Sequence, residues 1–120
     1  MKIVKIDWMN DEILEGILIV NSGEFTFQVF SHPCPYKVDD EIKKRLISLD
    51  EDHIVRVDEA TSPMIKQVGT TFRHDIIARV ENVSGSLVSV ADVMIELGSF
   101  LPGDIVEGDF VSFQSWRLSL

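Results

Sequence analysis

From Phe72 to Glu81 the chain alternates with a period of two. Phe72, His74, Ile76, Ala78 and Val80 fall on one side, Arg73, Asp75, Arg79 and Glu81 on the other, and Ile77 is the one exception. Successive side chains of an extended strand point to opposite faces, so the pattern describes a strand with one face in a core and one in water; a helix would scatter it. Ser84-Gly85 supplies a turn. Leu87, Ser89, Ala91, Val93, Ile95 and Leu97 then repeat the alternation, which predicts a long antiparallel hairpin.

The same rhythm runs through the first 30 residues. Val4, Ile6 and Trp8 alternate with Lys5 and Asp7. Residues 13–20 form a β-rich run, Asn21-Ser22-Gly23 is turn chemistry, and Phe25, Phe27 and Val29 alternate with Glu24, Thr26 and Gln28. These predict a three-stranded meander. A shorter strand is expected at 53–57 and a final one at about 110–118. Only 39–49 reads as helical: Asp39 or Asp40 can cap it, Ile42, Leu46 and Leu49 keep helical spacing, and Lys43-Lys44-Arg45 form a polar side. Residues 60–71, with Pro63 and Gly69, carry no clear period.

No linker or internal repeat divides the sequence, so residues 1–120 are expected to form a single domain. The expected class is mostly β: one antiparallel barrel or sandwich with one short helix, with a partly open barrel of the oligonucleotide/oligosaccharide-binding (OB) type preferred. Inner parity nominates Ile6, Phe25, Phe27, Val29, Phe72, Ile76, Val80, Leu87, Val93 and Ile95 as core.

The single cysteine, Cys34, excludes an intrachain disulfide. The charged alternation at the N-terminus is unlike a signal peptide, and no run is long enough to be an apolar membrane-spanning helix. These features, with the chain's compactness, lead us to expect a cytoplasmic protein from a bacterium. Twenty acids face 11 bases, for a net charge of −9. That sign opposes a phosphate backbone, so nucleic acid ranks low among partners.

Candidate chemistry is sparse. His32 and Cys34 lie two apart on a loop stiffened by two prolines, and Cys34 is expected to pack as a small apolar group. Cys34, His32, His53 and His74 show no ligand spacing, so no metal and no cofactor are expected. The pairs Asp104/Asp109 and Asp50/Asp52 lack the pattern of a calcium loop. No phosphate-binding glycine loop and no nucleophile elbow occurs, so catalysis is not the expected activity. His74 falls on the inner face, which predicts a hydrogen-bonded core histidine, or else an acid–base group in a pocket.

One region departs from the average. Between Arg79 and Arg117 there is no Lys or Arg, while Glu81, Asp92, Glu96, Asp104, Glu107 and Asp109 all occur, and Phe100-Leu101 sits at a loop tip among them. An apolar anchor amid like charge suggests a docking site for a basic protein. The leading expectation is therefore a small acidic protein-binding module of inhibitor or immunity type, using Asp92, Glu96, Phe100, Leu101, Asp104, Glu107 and Asp109. The alternative is a ligand-binding or enzymatic barrel with a pocket near His74. The third is an OB-like nucleic-acid binder using Phe25, Phe27, Arg73 and Arg79.

Overall fold

The computed structural model describes residues 1–120 and contains nine strands: β1 Lys2–Asn10, β2 Glu15–Ser22, β3 Phe25–Ser31, β4 Leu46–Val57, β5 Met64–Gln67, β6 His74–Asn82, β7 Leu87–Val90, β8 Val93–Glu96 and β9 Phe110–Ser119. Five of them close a mixed barrel, β4-β8-β7-β6-β9. β9 is its seam, pairing with β4 along one edge and with β6 along the other. Traced as β6-β7-β8-β4-β9 and back to β6, the ring places β4, the first of the five in the chain, between β8 and β9. It is closed rather than partly open, and it is mixed rather than wholly antiparallel, because β4 and β8 run parallel at Leu46–Ile95 and Ile47–Glu96.

The meander β1-β2-β3 forms as the sequence predicts and joins the barrel where Phe30 of β3 pairs with Ser119 of β9. Its alternation is displaced by a bulge between Ile3 and Lys5. Ile3 is consequently buried, Ile6 half-buried, and Val4 and Trp8 exposed.

There is no helix. Asp39 adopts a positive φ of 76°, which breaks a helix at its start, and from Leu46 the chain is strand, with Leu46 and Ser48 buried and Ile47 and Leu49 exposed. Ile42 and Leu46 do both reach the core, as helical spacing would have them, but one does so from a loop and the other from β4.

The predicted return strand 87–97 is two strands. Ala91, at φ 52°, reverses the chain so that Val90 pairs with Val93 in a two-residue hairpin. That reversal shifts the parity, so Val88 and Val90 are fully buried before the turn and Val93 and Ile95 after it, while Leu87 is only half-buried. Phe72, assigned to the core, precedes β6 and is exposed. Phe27, Val29, Ile76, Val80, Val93 and Ile95 occupy the core as expected, with Phe25 and Ile6 packed against it.

Candidate functional site

The 13 residues from Leu97 to Asp109 carry the chain from the end of β8 to the start of β9, across the barrel. Leu101 and Ile105 turn inward and join the core, whereas Phe100 is 91% exposed and Val106, six residues further on, is exposed as well. The Phe100-Leu101 pair is thus divided. Leu101 is a plug and takes no part in a surface; Phe100 is the most exposed large apolar side chain in the protein.

The base of this loop is tied to β4. The Glu51 carboxylate accepts the Ser99 N–H at 2.8 Å on Oε1, and the Gly98 N–H at 3.2 Å and the Ser48 hydroxyl at 2.7 Å on Oε2. With the Ser48 proton committed to Glu51, the 2.6 Å contact between the Ser48 and Ser115 hydroxyls has Ser115 as donor. Two successive amides aimed at one carboxylate orient the turn that follows, and such charge-assisted bonds are roughly twice as strong as neutral ones. Gly98 sits close to β4: a Cβ there would lie 3.2 Å from the Ser48 carbonyl oxygen, so a larger residue would require that backbone to give by a few tenths of an ångström. Ser48, Glu51 and Ser115 were not singled out from the sequence; the only available signal was a serine at an inward-facing position in each of two strands.

The acidic third of the sequence is not one acidic face. Glu96 pairs with Arg45 at 3.1 Å and Asp109 with Arg56 at 3.7 Å. Asp92, at the β7–β8 turn, shares a concavity with Lys43 and Lys44. Asp109 also accepts the Val106 N–H, and Glu107 reaches the Val83 N–H at 3.4 Å. Asp104 and Glu107 remain exposed and free of any basic side chain, on the loop that carries Phe100.

His74 is fully buried, lines none of the concavities, and has both ring nitrogens engaged by main chain. Nε2 accepts the Gln28 N–H at 3.1 Å, which fixes the proton on Nδ1, where it is donated to the Phe72 carbonyl at 3.0 Å. Burial pushes the imidazole below its ordinary pKa of 6.5, opposed by the Phe72 bond and the charge of Asp75. His74, Ser115 and Glu51 do fall on one cross-strand row. The ring has no lone pair left for Ser115, whose own hydroxyl is committed to Ser48, so the row forms no serine–histidine pair.

The largest concavity, 580 Å³ and open to solvent, lies across β4, β6 and β9 and is lined by Asp52, His53, Asp75, Ser112 and Gln114 among others. Its polar groups largely satisfy one another or their neighbours: Gln114 Nε2 donates to Asp75, Arg73 donates to Gln114, and the Trp116 indole N–H donates to Asp52. The candidates for a nucleic-acid platform are similarly occupied. Arg73 lies 3.8 Å over the Trp116 ring, Arg79 pairs with Glu81, and Phe27 is in the core. Glu81 itself is held below the ordinary carboxylate range by the Ser89 hydroxyl and by Arg79. Cys34 is buried, its thiol facing the Tyr36 carbonyl oxygen.

No protein-family model matches the chain, and no curated protein or solved structure is significantly similar to it.

Proposed function

We propose that this chain is a protein-binding module that docks through the Leu97–Asp109 loop, with Phe100 as the anchor and Asp104 and Glu107 selecting a basic partner. One observation carries the reading: a phenylalanine 91% exposed on a turn whose two preceding amides are fixed by Glu51. Exposing a phenyl ring to water forgoes about 2 kcal/mol of burial, and holding it on an oriented turn lowers the ordering cost of association. Both features serve a partner with an apolar pocket. The net charge of −9 favours a pocket rimmed by Lys and Arg, since opposite fields accelerate encounter. The expected setting is inhibition or neutralisation of a basic protein by occlusion, in the cytoplasm.

The test compares binding kinetics of the wild type, Phe100→Ala and Asp104→Lys/Glu107→Lys against basic proteins retained by the immobilised chain. Phe100→Ala should raise the off-rate by on the order of tenfold or more and leave the on-rate nearly unchanged. The charge reversal should slow association and flatten its salt dependence. If both variants retain the same proteins with wild-type kinetics, the loop is not the docking site.

A further inference from the structure

β1 is the outermost strand of the sheet, and its second edge is covered only at the start. Main-chain bonds from the Ile3 N–H to the Asp40 carbonyl, and from the Asp39 N–H to the Ile3 carbonyl, occupy the first residues, with a bridge between Lys2 and Glu41. From Lys5 to Asn10 the outer edge meets no other strand. An open edge is a template for another strand unless the sequence prevents pairing, through proline, through bulges that twist it away, or through charges that would repel a neighbour. Between the bulges that flank it, Lys5–Trp8 holds regular register against β2, and it contains no proline.

The charges on this stretch are opposite in sign. Lys5 and Asp7 lie two positions apart, their charged atoms at 3.2 Å, with side chains 67% and 52% exposed. Antiparallel pairing of two copies about a two-fold axis through Ile6 sets each residue opposite the one equally far on the other side of Ile6. Lys5 then faces Asp7 of the second copy, and Asp7 faces its Lys5. On the other side of the strand Ile6 meets Ile6 of the second copy at the two-fold axis, next to Trp8, which is 45% exposed in the single chain. Directly opposed residues of an antiparallel pair are close enough for side-chain contact, so this register joins opposite charges on one face and apolar groups on the other. Such a contact is isologous and closes as a dimer.

We infer that the open edge of β1 is a homodimer interface, in which two copies pair antiparallel about Ile6 and merge their meanders into one continuous sheet. The occupant is a second copy because the edge is complementary to itself in charge. The inference is independent of the Phe100 loop.

The experiment is sedimentation of the full chain across a concentration series, with circular dichroism to confirm the fold of every variant. The wild type should show a monomer–dimer equilibrium. Lys5→Asp leaves an edge with two acids and Asp7→Lys one with two bases, so each alone should dimerise at least tenfold more weakly. An equimolar mixture of the two should recover association as a heterodimer, because the acidic edge then meets the basic one. Phe100→Ala, a control on the barrel loop, should dimerise like the wild type. A wild type that stays monomeric up to its solubility limit overturns the inference. So do single variants that dimerise normally, or a mixture that associates no better than its components.

Discussion

The Gln28 N–H in β3 donates to Nε2 of His74 in β6 at 3.1 Å, so that a side chain rather than a strand completes the join between meander and barrel. The geometry follows from β9, which pairs with β6 at Ser115 and with β3 four residues later at Ser119. Where β3 and β6 diverge along that edge, an imidazole spans the gap. A ring able to accept at one nitrogen and donate at the other suits two main-chain groups of opposite kind, and only its neutral form can do so.

Acid should therefore loosen this join. The unfolded imidazole titrates near 6.5 and the folded one lower, so the unfolded state takes up the proton first as pH falls. Stability is full above 6.5 and is lost as pH drops through that value toward the folded pKa. His74→Leu should cost about 1–3 kcal/mol at pH 7.5 by leaving the Gln28 N–H and the Phe72 carbonyl unpaired. That difference from the wild type should narrow by pH 5 in urea unfolding. Parallel pH profiles for the two proteins would show that His74 is not the titrating group.

Phe100→Ala and Leu101→Ala should behave oppositely, although the residues are adjacent. Leu101 is in the core, so its truncation should cost about 2–5 kcal/mol. Phe100 contributes no burial, and its truncation should stay within about 0.5 kcal/mol of the wild type. A large loss of thermal stability for Phe100→Ala would place the ring in the fold instead.

Glu51→Ala removes the acceptor for two amides and one hydroxyl. We expect a loss of about 1–3 kcal/mol and faster hydrogen exchange at Gly98 and Ser99. Partner binding should weaken although Phe100 is unchanged, because the turn that presents it is no longer oriented. Wild-type exchange rates at both amides would mean that Glu51 does not hold the loop.

Ala91→Gly should raise stability by up to about 1 kcal/mol, because alanine is strained at φ 52° and glycine is not. The thermal midpoint reads this directly. A decrease would indicate that the lost methyl group, or the added freedom of the unfolded chain, outweighs the relieved strain.

The strand content, the meander and part of the core were legible in the sequence, because they rest on a local rule: alternation at period two records which face a strand buries. Phe27, Val29, Ile76 and Val80 followed it. The rule fails where register changes without a signal residue. Ala91 turns the chain where glycine or asparagine would be expected, and the bulge after Ile3 exposes Val4 and Trp8; nothing local announces either one. The window 39–49 satisfied helical spacing only because two of its leucine and isoleucine positions reach the same core from different elements.

The sequence by itself determined a β-rich chain with one core, a strongly negative charge, and an acidic stretch bearing Phe100-Leu101. Tertiary structure alone decided which acids are neutralised, by bringing Arg45 to Glu96 and Arg56 to Asp109 across 51 and 53 positions of sequence. It also separated Phe100 from Leu101, fixed their turn with Glu51, and made His74 a joint rather than a site. The physical reason is range: alternation and charge count are properties of neighbours along the chain, whereas pairing, burial and hydrogen-bond satisfaction are set by groups that only the closed barrel brings together.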